Sequence, residues 1–166
     1  MTFYDFLQSL NDSAVGTAIR EGETLFPWLE VAHVVAVTTV FGSILVVDLR
    51  LLGIASTTYP ISRLTKSMLP LTWVAFIGAL VTGSLMFCSQ PINYFDNFAF
   101  RAKMLLLVAA GLNMIVFHLL TMRGIALWDR DAPTPLSARL AGVSSILIWV
   151  LVVAFGRWIG FTLSPF

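Results

Sequence analysis

The sequence predicts an all-α, polytopic membrane protein, built as an up-down-up-down bundle of four transmembrane helices with a short amphipathic helix at the N-terminus. Four apolar stretches, residues 25–52, 68–88, 100–122 and 136–163, are each long enough to cross about 30 Å of hydrocarbon at about 1.5 Å per residue. Hydrophobic residues make up 58% of the 166 residues and charged residues only 11%, whereas a soluble domain carries about 25% charged residues. Short connections between the stretches make neighbouring helices antiparallel.

Residues 1–24 are expected to form an interfacial segment, and residues 25–166 the transmembrane domain. Phe3, Phe6, Leu7 and Leu10 recur at helical spacing, which is typical of an amphipathic helix lying on the membrane surface. The same pattern fits a helix packed on the mouth of the bundle. The segment is acidic, whereas a cleavable signal peptide needs a basic region followed at once by a short apolar core. We therefore expect no signal peptide here.

Lys and Arg residues in the connections give an expected orientation. Six fall in or beside the first and third connections: Arg50, Arg63, Lys66, Arg123, Arg130 and Arg139. Four fall on the opposite side: Arg20, Arg101, Lys103 and Arg157. Because cytoplasmic loops carry the excess of Lys and Arg, both termini are predicted to lie in the periplasm, and the protein in a bacterial inner membrane.

Small residues at helical spacing predict where the helices approach one another, because lipid gives helices no hydrophobic reason to associate. The fourth stretch has such a face, made of Gly142, Ser145, Trp149, Gly156 and Gly160. The second stretch has a seam made of Thr72, Ala75, Ala79 and Gly83. These seams favour packing within the bundle, with homo-oligomerisation as the alternative. Gly53 is the expected end of the first helix, and Thr134 with Pro135 the expected start of the fourth.

Ionisable residues of the first stretch share one stripe of the helix. At about 100° per residue, Glu30 and Asp48 project in the same direction, and His33 lies about 60° away. A charge at the bilayer centre costs about 3 kcal/mol or more, so such groups face protein or a water-filled cavity. The stripe is therefore expected to face the inside of the bundle.

Depth along the helices divides the polar residues into two clusters. The outer cluster consists of Glu30, His33, Arg101 and Arg157. The inner cluster consists of Asp48, Arg50, His118, Arg123 and Arg139. Each cluster has two interpretations. One is a helix-locking set of ion pairs, Glu30 with Arg157 and Asp48 with Arg50 or Arg139; the other is a cofactor site.

Two histidines in a small helix bundle suggest a b-type haem, although one haem bridging both is not expected. His118 is predicted to lie about 15 Å deeper than His33, whereas two axial ligands lie at similar depth. A haem bound by His33 with a methionine such as Met86, or by His118 in the inner cluster, remains open. Copper held by His33, Met86 and Cys88 is the second metal candidate, because soft ligands suit Cu(I).

Other classes of function have weaker support. The sequence has no nucleophile elbow, no phosphate-cradling glycine loop and no paired metal-ligand motif, so we expect no enzyme. Net charge is +1, which gives no sign of nucleic-acid binding. A small transporter or channel is an alternative, although no internal repeat is visible.

Several segments resemble an uncharacterised family of small bacterial inner-membrane proteins, a domain of unknown function. They are FPWLEVAH at residues 26–33, GSILVVDLRLLG at 42–53, GRWI at 156–159 and AIRE at 18–21. Their motif residues are Glu30, His33, Asp48, Arg50 and Arg157. A looser similarity is to copper-resistance-D-type and b-type cytochrome membrane subunits, and it implies a redox or metal context.

The expected function is a non-enzymatic accessory subunit of the inner membrane. It would bind haem b or copper at the outer cluster, through His33, Glu30, Arg157 and Met86, and work beside a membrane or periplasmic redox partner. One alternative is a purely structural or assembly protein without a cofactor, in which the polar clusters lock the helices together. The other is the transporter or channel.

Overall fold

A computed structural model describes residues 2–130 and 133–163, and within them the chain is helical and has no strand. The predicted domain bounds at residues 1 and 166 lie outside the described residues. Its α-helices, in chain order, are α1 (Phe3–Asn11), α2 (Ala14–Glu21), α3 (Leu25–Leu51), α4 (Ile61–Ser89), α5 (Pro91–Asp96), α6 (Phe98–Val116) and α7 (Leu136–Leu163).

Four helical segments are long and apolar enough to cross a membrane, which confirms the predicted fold class. They are Leu25–Leu51, Ile61–Ser89, Phe98–Leu127 and Leu136–Leu163, with mean hydropathies of 2.0, 1.9, 2.1 and 2.1. Large apolar side chains point away from the bundle: Val74, Leu105 and Leu120 are 70%, 72% and 70% exposed. A bilayer is the solvent that accepts such faces.

The four spans do not pack equally against one another. α3 packs along α4 and α7, and α6 packs along α7, whereas α4 and α6 hardly touch within the described residues. Val40 and Ala75 meet Trp149 and Val152 in the middle of the bundle. The predicted small-residue seam on α7 is confirmed, since Gly142 and Ser145 are buried. A Cβ on Gly142 would lie 3.3 Å from the carbonyl oxygen of Asp48, so the glycine permits close approach of α7 to α3.

The second span begins at Ile61, earlier than the predicted residue 68. Its first turn is capped by a residue from a distant loop: the Asp129 carboxylate accepts hydrogen bonds from the backbone amide of Ser62 at 2.8 Å and from the Ser62 hydroxyl at 2.6 Å. The backbone amide of Ile61 donates to the Asp129 carbonyl at 3.2 Å. The first amides of a helix have no partner within the helix, and here a loop 67 residues away supplies one.

The third span changes its helical winding near its end. The α-helix runs to Val116, a π-helical turn covers Phe117–Thr121, and a 3₁₀ helix covers Met122–Leu127. π-turns inside helices are rare and often lie at functional sites. By contrast, the end of α3 is as predicted: Gly53 has φ of +75°, the left-handed conformation in which glycine follows many helices.

The N-terminal helix packs on the mouth of the bundle, one of its two predicted placements. The Tyr4 hydroxyl donates to Asp96 at 3.1 Å, and the Phe3 ring lies 4.9 Å from that of Phe95. Leu7 is 1% exposed, whereas Phe6 on the outer face is 49% exposed. An exposed aromatic face of this kind also suits the interfacial region of a membrane. The aromatic segment after α4 contains the short helix α5.

Candidate functional site

The strongest candidate site is a cavity of about 230 Å³ between the four spans, near the end of α3 and the start of α4. We call it the Asp48 cavity. All four spans line it, mostly with apolar and aromatic side chains. Its polar and aromatic lining residues include Asp48, Thr65, Asn113, His118, Trp73 and Trp149.

Two polar atoms on these lining residues are buried and have no hydrogen-bond partner among residues 2–130 and 133–163. They are Oδ2 of Asp48 and Oγ1 of Thr65, on side chains that are 6% and 8% exposed. Leaving a buried polar group unpaired costs about 1–3 kcal/mol, and more for a charged group. Ser145, also buried, lies beside the Asp48 carboxyl, and yet Oδ2 keeps an unused lone pair. Two such atoms on residues that line one cavity indicate a place prepared for a polar group from elsewhere.

Three other polar side chains around the cavity, those of Ser43, Thr72 and Asn113, each make a hydrogen bond. Ser43 and Thr72 bond to each other at 2.8 Å. The Thr72 hydroxyl lies 2.9 Å from the Met68 carbonyl, and that of Ser43 2.9 Å from the Val40 carbonyl. The side-chain amide of Asn113 donates to the Ala141 carbonyl on α7 at 3.1 Å.

Polar residues of α3 and α4 form three successive levels through the bundle. At the first, His33 meets Thr82 at 2.9 Å, and at the second Ser43 meets Thr72 at 2.8 Å. Asp48 and Thr65 form the third level, because residue numbers rise along α3 while they fall along the antiparallel α4. The second and third levels both line the cavity, and only the third has no bond between its members.

The cavity opens sideways between α4 and α6. A groove in the gap between these helices is lined by Leu69, Trp73, Met114, Ile115, His118 and Leu119. Four of these residues, Leu69, Trp73, Met114 and His118, also line the cavity, so the groove adjoins it. The π-turn of the third span lies at this opening, with His118 in it. The ring Nδ1 of His118 donates to the Met114 carbonyl at 2.9 Å.

The inner cluster is not assembled as the sequence suggested. The expected Asp48–Arg50 pair was wrong: the buried Arg50 turns to loop carbonyls, donating from Nε to Tyr59 at 2.9 Å and from Nη2 to Asp129 at 3.4 Å. Oδ2 of Asp48 is left unpaired. Arg123 and Arg139 are exposed. Arg50 therefore tethers the loops around the start of α4, and leaves the Asp48 carboxyl without a cationic partner among the described residues.

The outer cluster is also dispersed. Glu30 and Arg157, the predicted ion pair, are both exposed, and the Arg157 guanidinium lies 4.6 Å from the ring centroid of Phe161. Glu30 is close enough to Tyr94 for its charge, together with burial of the phenol as the larger cause, to raise the pKa of Tyr94 to about 12. Arg101 is exposed as well, whereas Lys103 reaches inward: a Cβ on Gly156 would lie 3.5 Å from its Nζ.

His33 is held in one orientation by Thr82. The Thr82 hydroxyl lies 2.8 Å from the Gly78 carbonyl, which accepts its hydrogen. The Thr82 oxygen therefore accepts from Nδ1 of His33, and Nε2 of the neutral ring carries the free lone pair. Gly83 makes room for the ring, since a Cβ there would lie 3.0 Å from its Cε1. Met86, half-buried, follows one turn after Thr82.

A metal site at either cluster stays a prediction. Within residues 2–130 and 133–163, no group of three or more His, Cys, Asp or Glu side chains comes together to hold a metal ion. The two histidines lie toward opposite ends of the bundle, as their positions in the sequence predict.

The profile of a family described as a family of unknown function, DUF6644, matches residues 20–162. This chain belongs to the DUF6644 family. The match extends over α3, α4, α5 and α6 and all but the last residue of α7. No curated protein and no solved structure matches the chain. The expected membership of an uncharacterised family is confirmed, whereas the looser similarity to copper-resistance-D-type and cytochrome subunits is not shown.

Sequence reasoning on this DUF6644 chain found Asp48 and His118 but missed Thr65 as a site residue. Thr65 lies before the apolar stretch that begins at residue 68, so the hydropathy pattern assigns it to the connection between the first and second spans. A signal was present: Thr65 and Thr72 are seven residues apart and therefore share a helix face. No pattern in the sequence indicates the lateral opening, because the opening depends on the distance between α4 and α6.

Proposed function

We propose that this protein is a non-enzymatic accessory protein of the bacterial inner membrane that holds a small hydrophobic molecule in the Asp48 cavity. The observation that carries the proposal is the pair of buried, unpartnered atoms, Asp48 Oδ2 and Thr65 Oγ1, on two residues that line one cavity. A ligand with a polar head and an apolar body would pair the head with these atoms. Its body would contact the aromatic lining.

The lateral opening supports access from the bilayer. A hydrophobic molecule concentrates in the hydrocarbon, and the groove between α4 and α6 meets that region directly. Ligand sites are mostly apolar with a few placed polar groups, and typically measure about 300–1,000 Å³. The cavity is slightly smaller than that, which favours a ligand of one ring or a short chain over a whole lipid.

Photolabelling with a small neutral probe tests the cavity independently of ligand charge. We expect 3-trifluoromethyl-3-phenyldiazirine, activated by light in lipid nanodiscs, to label Trp149, because this side chain lines the cavity while being 8% exposed. A Gly111→Leu variant fills the cavity and should reduce the label on Trp149 at least fivefold. The readout is peptide mass spectrometry.

Gly42→Leu is the matched control. A Cβ at either glycine meets nothing within 4 Å, but Gly111 lines the cavity and Gly42 is exposed. The control should keep the label on Trp149. If the probe labels only lipid-facing residues in the unmodified protein, the cavity does not admit molecules from the bilayer and the proposal fails.

A second candidate function, a haem- or copper-binding subunit beside a redox partner, is favoured by one observation. The imidazole of His33 is oriented by Thr82 and has Nε2 free, which is the arrangement that metal-binding histidines use. Met86 lies on the same face of α4 as Thr82 and would be the second ligand. An optical spectrum and elemental analysis separate this function from the first.

A further inference from the structure

We propose that the ligand of the Asp48 cavity is a small lipophilic organic cation, an ammonium group carrying apolar substituents. This inference rests on the proposed function, because it names the chemical class of the molecule held in the same cavity. The juxtaposition of a carboxyl group that has one unpartnered oxygen with an aromatic lining carries it.

The charge of the lining favours a cation. Asp48 is the one carboxylate among the described cavity residues, and none of them is Lys or Arg. The nearest candidate counter-ion along the chain, Arg50, is bonded to the carbonyls of Tyr59 and Asp129. His118 is tied through Nδ1 to the Met114 carbonyl at the opening. An anion would face the Asp48 carboxyl with no cation to offset it, whereas an ammonium ion stabilises the ionised carboxylate and supplies its missing partner.

The aromatic side chains of the cavity suit the same ligand. Trp73, Phe76, Phe117 and Trp149 all line it. A cation over the face of an aromatic ring is attracted by the ring's quadrupole, most strongly for tryptophan, and aromatic cages commonly bind quaternary ammonium groups. A bare metal ion would find one carboxylate and a mostly apolar wall, which is a poor coordination sphere.

Binding of an isosteric pair tests the charge. Benzyltrimethylammonium and neopentylbenzene have nearly the same shape, and differ by a positive nitrogen in place of a carbon. We expect the cation to displace the diazirine probe from Trp149 at a bilayer concentration at least tenfold lower than the hydrocarbon. In Asp48→Asn, which keeps the side-chain shape, the preference should fall to less than twofold. Asp96→Asn, an exposed acid on α5, should leave it unchanged.

A second variant covers the case in which Asp48→Asn does not fold. Trp73→Leu changes a side chain that is 46% exposed at the opening, and should weaken cation binding severalfold while leaving the hydrocarbon unaffected. Equal displacement by cation and hydrocarbon in the unmodified protein, or a preference that survives Asp48→Asn, would overturn the cationic ligand and leave the hydrophobic cavity standing. Absence of any label on Trp149 would instead overturn the proposed function itself.

Discussion

At the scale of single residues, two polar side chains of α3 differ in whether they have a hydrogen-bond partner. His33 has a hydroxyl partner on α4 and a glycine that makes room for its ring. Asp48, about four turns further along the helix, has Oδ2 unpaired in a cavity. A satisfied polar contact stabilises helix packing, whereas an unsatisfied one destabilises the empty protein and favours whatever molecule satisfies it. We therefore interpret Asp48 as a binding residue and His33 first as a packing residue.

Replacing His33 tests the second candidate function. If haem or copper binds here, protein purified from a membrane with the metal supplied will show a Soret band or about one copper per chain, and His33→Ala will abolish it because the free Nε2 is lost. Thr82→Val removes only the group that orients the ring. It should lower the affinity for the metal or haem about 10–100-fold.

A purely structural His33 gives a different pattern. His33→Ala would then lower the unfolding temperature, because a contact between α3 and α4 is removed, while the unmodified protein would carry no metal or haem. That result would refute the cofactor site at the outer cluster and leave the Asp48 cavity untouched.

At the scale of elements, the start of α4 depends on a residue from the third connection. The Asp129 carboxylate caps the first turn through Ser62, and Arg50 donates to the Asp129 carbonyl. Partial burial raises the pKa of the Asp129 carboxyl, but the hydrogen bonds from Ser62 and Ile61 and the charge of Arg50 together bring it below the usual 3.8. The ionised cap therefore stabilises the folded state and positions the turn that precedes Thr65.

Removing this cap should lower the free energy of unfolding by an amount that depends on pH. We expect Asp129→Ala to cost about 1 kcal/mol of unfolding free energy at pH 7, the usual cost of a lost helix cap. Because the folded pKa lies below the unfolded one, the contribution is present above about pH 4 and disappears as pH falls further. Thermal unfolding of the unmodified protein and of Asp129→Ala between pH 3 and pH 7 measures this contribution.

Glu23→Ala, which removes an exposed carboxyl before α3, is the control and should change the unfolding temperature little. A constant difference between Asp129→Ala and the unmodified protein down to pH 3 would show that the carboxylate does not act as the cap.

At the scale of the whole molecule, the sequence predicted the four spans and their order, because burial in lipid demands long apolar stretches. Gly53 and the faces with Gly142 and Gly83 were predictable from local rules. The early start of α4 was not, because its cap comes from Asp129 across the fold. Arg50 was paired with the wrong group, since helical spacing gives the direction of a side chain on its own helix but not the loop carbonyls that surround it.

The candidate site was predicted only in part for the same reason. Asp48 and His118 stood out as ionisable residues in apolar stretches, a pattern that indicates function. The cavity arises because α4 and α6 each pack on another helix and leave a gap between them. No single stretch of sequence encodes such a gap, and the π-turn that borders it has no recognised signature in this chain.

The central claim is that Asp48 is buried from water but reachable from the bilayer through the gap between α4 and α6. Dicyclohexylcarbodiimide, which dissolves in lipid and attaches to carboxyl groups, tests it when compared with a water-soluble carbodiimide on protein in nanodiscs. We predict that the lipid-soluble reagent modifies Asp48, seen by peptide mass spectrometry, and that the water-soluble reagent modifies exposed acids such as Asp12 and leaves Asp48 intact. Modification of Asp48 by the water-soluble reagent, or by neither reagent, would contradict the account.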